Sequence, residues 1–162
     1  MAQPSVRVRP ATAADRDWIA SFLEANHSLV VARHGELVRP LDHPMLLAET
    51  DDGSAGLLTY IERDGEMEIH TLHAVHQWSG AGSALIAAIR DLAASHGCRR
   101  LWVVTTNDNV DALRFYQRRG FRLAAVRPGE VDEARRTLKP EIGETGAYGI
   151  PLRDELELEL VP

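Results

Sequence analysis

The stretch Gln77-Trp78-Ser79-Gly80-Ala81-Gly82 joins two segments whose hydrophobic residues recur with different periods. Residues 66–75 alternate as in a strand, and residues 83–96 carry apolar side chains on one helical stripe. A glycine-rich turn before a helix directs unpaired backbone N–H groups to the positive end of the helix dipole. Gly80 and Gly82 would let a ligand approach the backbone closely. The sequence predicts either an anion site, best suited to a phosphate or pyrophosphate, or a turn that binds nothing.

Length and composition bound the class of protein. The 162 residues suit one domain over residues 1–162, and 44% apolar with 26% charged residues is typical of a globular chain. A net charge of −6 disfavours nucleic-acid binding. The chain has neither an apolar run of about 20 residues nor a signal-like start. The single cysteine, Cys98, fits a reducing compartment and a buried structural thiol. We therefore expect a soluble cytoplasmic protein without nucleic acid or membrane as a partner.

Alternating and helical patterns follow one another along the chain without repeats or linkers. Strands are expected at residues 5–9, 45–49, 55–62, 66–75, 100–105, 121–126 and 154–160. Helices are expected at residues 12–26, 83–96, from 106–109 to 120, and 131–138. Either Asn107 or Asp108 is the expected N-cap of the third helix, and residues 29–38 remain ambiguous. The order predicts an antiparallel meander followed by a right-handed βαβ unit.

The last strand alternates glutamate and leucine strictly over residues 155–160. Such a pattern indicates a half-exposed strand at the edge of a sheet. An open edge can pair with a second copy of the chain, so a homodimer is a further expectation.

Two motifs in the right order make the chain resemble the GCN5-related N-acetyltransferase (GNAT) family. The first is the turn at residues 77–82, which matches Gln/Arg-x-x-Gly-x-Gly/Ala. The second is Asn-x-x-Ala-x-x-x-Tyr-x-x-x-Gly-Phe, which stands here as Asn109, Ala112, Tyr116, Gly120 and Phe121. The resemblance covers roughly residues 5–126. Trp78 departs from it, because the family usually has glycine there.

The resemblance implies an α/β fold in which a mostly antiparallel mixed sheet of about six or seven strands is flanked by about four helices. It also implies a splay between the strands at residues 66–75 and 100–105. The implied activity is transfer of an acetyl group from acetyl-CoA, as co-substrate, to a primary amine of a small molecule or peptide by direct attack in a ternary complex. The alternative is a non-catalytic acyl-CoA-binding sensor or interaction module.

The resemblance also implies which residues contact the cofactor. Backbone amides of the turn would hold the pyrophosphate, and an N–H near Leu72 would polarise the thioester carbonyl. Tyr116 would lie near the sulfur and protonate the leaving thiolate. The implied contact residues are Leu72, His73, Ala74, Gln77, Trp78, Ser79, Gly80, Ala81, Gly82, Ser83, Ala84, Asn109, Ala112 and Tyr116.

Direct attack requires a neutral amine, and the pKa of a free alkyl amine is near 10. A base must therefore remove a proton, directly or through water. Glu68 is the first candidate because an acidic residue on this strand often serves in the family. Glu66 is the second, and His73 is the third. Simple alternation places Glu66, Glu68, His70 and Leu72 on one face and His73 on the other.

A metal site is the last hypothesis for this strand. His70, His73 and His76 are close in sequence, but alternation separates His73 from the other two. Neither a cysteine nor a carboxylate cluster completes a coordination shell, so we expect no metal.

The acceptor is expected to contact residues 12–39 and 131–151. Acidic residues in these regions could attract a cationic amine. They are Glu24, Glu36, Asp42, Glu130, Asp132 and Glu133. A polyamine, an amino acid, an antibiotic and a protein N-terminus all remain open.

Overall fold

The computed structural model describes residues 4–162. Within this range the chain forms nine strands and four α-helices. The strands are β1 (Arg7–Pro10), β2 (Val31–Arg33), β3 (Glu36–Val38), β4 (Met45–Thr50), β5 (Gly53–Arg63), β6 (Glu66–Ala74), β7 (Arg100–Thr106), β8 (Arg122–Arg127) and β9 (Glu155–Leu160). The helices are α1 (Arg16–Ala25), α2 (Ala81–Ser95), α3 (Val110–Arg118) and α4 (Glu130–Thr137). The mixed α/β class with a seven-stranded, mostly antiparallel sheet is confirmed.

The chain divides into two compact units, of which the first contains the described residues up to Leu29 together with Arg39–Leu101. Its strands pair antiparallel in the order β1-β4-β5-β6. Helix α1 covers one face of these strands, where Ile19 and Leu23 form a fully buried core with Leu47 and Leu57. Helix α2 lies on the opposite face of β5. Cys98 is buried in this unit, and burial raises the pKa of its thiol, as expected for a structural cysteine.

The second unit contains Val30–Val38 and Trp102–Val161. Its strand order is β7-β9-β8, so β9 is flanked on both sides. The expectation of an edge strand was therefore wrong. Two of its glutamates, Glu155 and Glu157, are buried because other groups hold their carboxylates: the His34 N–H donates to Glu155, and Arg127 donates to Glu157 at 2.6 Å. A second copy cannot pair along β9, and a homodimer stays a prediction.

The ambiguous segment at residues 29–38 forms a small hairpin of β2 and β3. His34 and Gly35 make its turn with φ values of 49° and 72°. A two-residue turn of this kind requires positive φ at both central positions, which glycine adopts without strain. The sequence pattern was unclear because each strand is only three residues long.

Strand β6 contains one extra residue relative to β5. Thr59 pairs with Thr71, and the next residue, Tyr60, pairs with Ile69. His70 is therefore left over as a β-bulge. A bulge interrupts the ladder and bends the strand, and bulges are frequent beside active sites.

The bulge changes which side chains of β6 share a face. His73 lies opposite Leu57, on the face that α1 covers, and Glu68 lies opposite Ile61 on that same face. Leu72 lies on the other face. The expectation that Glu68 and Leu72 share a face, with His73 on the other, was wrong because strict alternation assumes a strand without an inserted residue.

Two further features are absent from residues 4–162. In residues 4–162, no helix combines the length and the apolar character that a membrane crossing needs. The same range contains no group of three or more His, Cys, Asp or Glu side chains placed to hold a metal ion. The splay expected between residues 66–75 and 100–105 stays a prediction.

Gly56 permits the close approach of α2 to β5. A Cβ added there would lie 3.0 Å from the His73 carbonyl oxygen, 3.2 Å from Leu85 Cδ1 and 3.3 Å from Ala81 Cβ. We predict that Gly56→Ala lowers the free energy of unfolding by about 1–3 kcal/mol, as overpacking does. Denaturant unfolding measures the change.

The matched control is Gly143→Ala, where the nearest atom to an added Cβ is 3.6 Å away. We expect this variant to stay within about 0.5 kcal/mol of the unmodified chain. Equal stability of the two variants would show that the approach at Gly56 is not constrained.

Candidate functional site

The turn between β6 and α2 has an unusual backbone. Trp78 adopts φ 65° and Gly80 adopts φ 87°, and Gly80 is the N-cap of α2. The helix begins at Ala81, two residues before the predicted start, and runs for 15 residues. Ser79 Oγ accepts a 3.4 Å hydrogen bond from the Ala81 N–H. The remaining N–H groups of the first helical turn have no acceptor within the helix.

The electrostatics of this helix end suit an anion. Among the four α-helices of the described range, α2 alone has no acidic residue in its first turn. No carboxylate of its own first turn therefore offsets the positive end of its dipole. A helix N-terminus without an acidic side chain in its first turn favours a phosphate-like ligand.

The turn is anchored at one residue and exposed at the others. Ala81 is fully buried beneath Gly56, whereas Trp78 is 77% exposed. Gln77 and Ser83 are exposed, and Ser79, Gly80, Gly82 and Ala84 are partly buried. The residues predicted to contact a pyrophosphate thus form one accessible segment held in place by Ala81.

His73 near the end of β6 contacts two residues of the α1 region. Its Nε2 lies 2.9 Å from Ser28 Oγ, and the Phe22 ring meets the imidazole edge-on. The Ser28 hydroxyl donates its one proton to the Asn26 carbonyl at 3.0 Å, so we assign Nε2 of His73 as the donor to Ser28. Burial lowers the pKa of His73 and keeps the ring neutral.

Glu68 is buried on the same face, with 6% of its surface exposed. Its Oε2 lies 4.0 Å from Nε2 of the bulged His70. The ring of His43 packs edge-on against His70 at 4.8 Å between centroids. Sequence reasoning missed both Ser28 and His43, since each lies far along the chain from β6 and neither belongs to a motif.

Glu66, the second base candidate, is already occupied. Its Oε1 accepts a 2.8 Å bond from Arg99, and its Oε2 accepts a 3.4 Å bond from Arg100. Both oxygens are therefore engaged with cations.

In the second unit, Asn109 begins α3. Its side-chain oxygen accepts a 3.2 Å hydrogen bond from the Ala112 N–H, which makes Asn109 the N-cap. The expectation of Asn107 or Asp108 at this position was wrong. The Asn–Ala spacing of the second motif thus has a structural use, whatever else Asn109 contacts.

Asn107 and Asp108 fail as caps because their side chains hold the C-terminal segment. Asn107 donates to the Pro151 carbonyl at 2.8 Å and accepts from the backbone of Arg153 and Asp154. Asp108 accepts from the Ala147 N–H at 2.9 Å and from the Thr106 hydroxyl.

Tyr116 is one helical turn beyond Ala112 and is buried between two phenylalanines. The rings of Phe115 and Phe121 each lie 5.2 Å from the Tyr116 ring and meet it edge-on. Burial raises the pKa of the phenol well above its ordinary value. Tyr116 therefore keeps its proton at physiological pH and can act as a donor but not as a base.

The structure brings the predicted residues together in two groups. Leu72, His73, Ala74 and residues 77–84 adjoin one another in the first unit. Asn109, Ala112 and Tyr116 adjoin one another on α3 in the second. That the two groups bind one cofactor stays a prediction.

Comparison with known proteins places these motifs in a family. A family model described as "Acetyltransferase (GNAT) family" matches residues 9–121, which include both motifs. The Bacillus subtilis "uncharacterized protein YdhI" is 44% identical over 101 residues, which are 62% of each chain. The Mycobacterium tuberculosis "uncharacterized N-acetyltransferase Rv2669" is 33% identical over 121 residues, 73% of this chain and 75% of the relative.

A solved structure shares the fold. A GNAT family acetyltransferase from Elizabethkingia anophelis, crystallised with acetyl-CoA bound, superposes with a TM-score of 0.70 at 17% identity. The match covers 97% of this chain and 98% of that one.

The neutral His73 predicts a pH dependence of stability. The folded-state pKa lies below the unfolded value near 6.5, so the unfolded chain binds more protons as pH falls below 6.5. The free energy of unfolding should therefore fall between pH 7 and pH 5, by at most about 1.4 kcal/mol per pH unit from this residue. Denaturant unfolding of the unmodified chain and His73→Gln at both values measures this contribution.

We expect His73→Gln to lose less stability on acidification than the unmodified chain. The control variant is His76→Gln, which changes an exposed histidine three residues along the chain. Identical pH dependence in His73→Gln and the unmodified chain would contradict the assignment.

Proposed function

The chain belongs to the GNAT acetyltransferase family, and from this premise we propose that it transfers the acetyl group of acetyl-CoA to a primary amine by direct attack in a ternary complex. The amine belongs to a small molecule or a peptide, and the two units act as one cytoplasmic acetyltransferase domain. The observation that carries the proposal is the turn before α2, with left-handed Gly80 and no acid in the first helical turn.

The turn fits the pyrophosphate of the cofactor. N–H groups from Ser79 to Ser83 would hold it at the positive end of α2. The exposed ring of Trp78 is available to lie against the cofactor. Leu72, His73 and Ala74 would bind the pantetheine arm through their backbone, as an added strand is bound, just beyond the bulge at His70.

Tyr116 is proposed as the general acid. When bound, acetyl-CoA supplies the thioester, and the departing sulfur needs a proton as its bond to carbon breaks. A buried phenol with a raised pKa is protonated whenever the enzyme turns over. Asn109 and Ala112 fix the start of the helix that carries this phenol.

Glu68 is proposed as the general base that takes a proton from the ammonium form of the acceptor. The bulge places Glu68 on the same face of β6 as His73, so both candidate bases would contact a substrate from the same side. The Oε2 atom of Glu68 lies 4.0 Å from Nε2 of His70, and both oxygens of Glu66 accept hydrogen bonds from arginines.

We predict that Tyr116→Phe lowers kcat by about 100-fold or more, the usual contribution of a general acid, and leaves the KM for acetyl-CoA nearly unchanged. The substitution removes only the hydroxyl from a well-packed ring. Release of free thiol across a panel of amines measures turnover.

Tyr60→Phe is the matched control, because it removes the hydroxyl of a tyrosine on β5 that lies outside both motifs and outside the regions expected to contact the acceptor. Its kcat should match the unmodified enzyme. Intact turnover in Tyr116→Phe would remove the acid assignment. If the chain binds CoA tightly but releases no CoA thiol with any amine of the panel, it is instead a non-catalytic acyl-CoA-binding module.

For the base, we predict that Glu68→Gln lowers kcat by about 100-fold and removes the acidic limb of the pH–rate profile. An amide cannot accept the proton that the carboxylate takes. The profile of kcat against pH, from pH 5.5 to 9.5, is the measurement.

Glu66→Gln is the comparison variant. Its carboxylate is engaged by Arg99 and Arg100, so we expect the profile to keep its shape. An unchanged profile in Glu68→Gln together with a lost acidic limb in His73→Gln would transfer the role to His73.

A further inference from the structure

The second unit contains a pocket of about 200 Å³ that neither sequence motif touches. Its walls are mostly apolar and include Val31 of β2, Val131 of α4, and Ile142 and Leu152 of the segment between α4 and β9. At about 30 Å³ per water, this volume corresponds to roughly seven waters, or a ligand of about seven to nine non-hydrogen atoms. Its walls come from both regions expected to contact the acceptor.

Glu155 supplies a carboxylate to this pocket. Only 2% of the surface of this residue is exposed. In the described chain it receives one hydrogen bond, a long one of 3.3 Å from the His34 N–H. Burial raises its pKa and Glu130 adds to the effect, whereas the hydrogen bond from His34 and the charges of Arg127 and Arg33 oppose it. A carboxylate that accepts a single hydrogen bond can accept further ones, such as those of a bound ammonium group.

Lys139 supplies the opposite charge. Its Nζ donates to the Val30 carbonyl at 2.7 Å, which leaves two further N–H donors on the ammonium group. Within residues 4–162, Lys139 and Glu155 form no ion pair with each other, although both line the pocket. The pocket thus has one carboxylate and one ammonium group, not paired with each other, beside an apolar wall.

We propose that this pocket binds an α-amino acid with a small apolar side chain, of the size of valine or leucine, and that this molecule is the acetyl acceptor. The ammonium group meets Glu155, the carboxylate meets Lys139, and the side chain contacts Val31, Val131 and Ile142. The second half of this inference rests on the proposed function. The first half, which concerns binding, stands without it.

Other acceptors match the pocket less well. A polyamine brings no anion for Lys139 and places its charges against apolar walls. A peptide N-terminus has no free α-carboxylate for Lys139, because that group is part of a peptide bond. In the transfer itself, the N–C bond forms as the C–S bond breaks. Of the two protons that the ammonium loses, one ends on the thiol of CoA and one is released to solvent.

Binding is tested with L-leucine and two analogues that each lack one charge. 3-Methylbutylamine lacks the carboxylate, and 4-methylpentanoic acid lacks the amine. Calorimetric titration of the full chain should give at least tenfold weaker binding for each analogue. Absent leucine binding at millimolar concentration, or equal binding of all three compounds, would overturn the site.

Substitutions at Glu155 and Lys139 test which charged group of leucine each side chain binds. Glu155→Gln keeps the shape and the bond from His34, and it should weaken leucine at least tenfold but leave 4-methylpentanoic acid unchanged. Lys139→Met should weaken leucine and leave 3-methylbutylamine unchanged. Ala134→Leu fills the pocket from α4 and should abolish binding even if Glu155→Gln does not fold. Leucine binding that survives all three changes would place the ligand elsewhere.

Thiol release with acetyl-CoA separates this proposal from the proposed function. Leucine turnover that Glu155→Gln reduces, while CoA affinity stays constant, supports both. Transfer to other amines without leucine binding overturns the pocket and leaves the acetyltransferase proposal intact. Leucine binding without transfer to leucine, but with transfer to another amine, overturns the acceptor assignment. Leucine binding without transfer to any amine overturns the proposed function and leaves the binding site.

Discussion

One inserted residue in β6 determines which side chains of this strand share a face. The bulge at His70 reverses the alternation of the strand, so that Glu68 and His73 face α1 while Leu72 faces away. It also interrupts the ladder with β5 just before the residues proposed to bind the pantetheine arm. Without the bulge, the two candidate bases would lie on opposite faces of the sheet. The location of both candidate bases therefore depends on the register of the backbone.

The second constraint is the distance between α2 and β5. Gly56 has no side chain, so Ala81 packs directly against the strand, and the start of the helix is held by the core. The turn can then carry two left-handed residues, Trp78 and Gly80, and still keep a fixed position. The position of the turn that is proposed to bind an anion thus depends on core packing, because the buried Ala81 holds the helix end in place.

Residue pattern was sufficient for the elements that repeat with a clear period and insufficient where distant residues decide the outcome. The turn at residues 77–82, the helix after it and all seven strands of the sheet follow from periodicity and glycine placement. The bulge does not, since alternation gives no sign of which residue lacks a partner. The strict alternation of glutamate and leucine predicted a half-exposed strand. Two of the glutamates are instead buried and accept hydrogen bonds from His34 and Arg127, which no local pattern reveals. Ser28 escaped notice for the same reason.

The two buried glutamates of β9 differ in the groups that donate hydrogen bonds to their carboxylates. Glu157 is held by Arg127 at 2.6 Å, a charge-assisted bond that compensates much of the loss of hydration. Glu155, two residues away on the same face of the strand, receives only a backbone N–H at 3.3 Å and lines a pocket. A protein that needed only a stable strand would gain from an apolar residue at position 155, because an under-bonded buried carboxylate is destabilising. An ammonium group bound in the pocket would add a further hydrogen bond and a positive charge to those that His34, Arg127 and Arg33 already provide near Glu155.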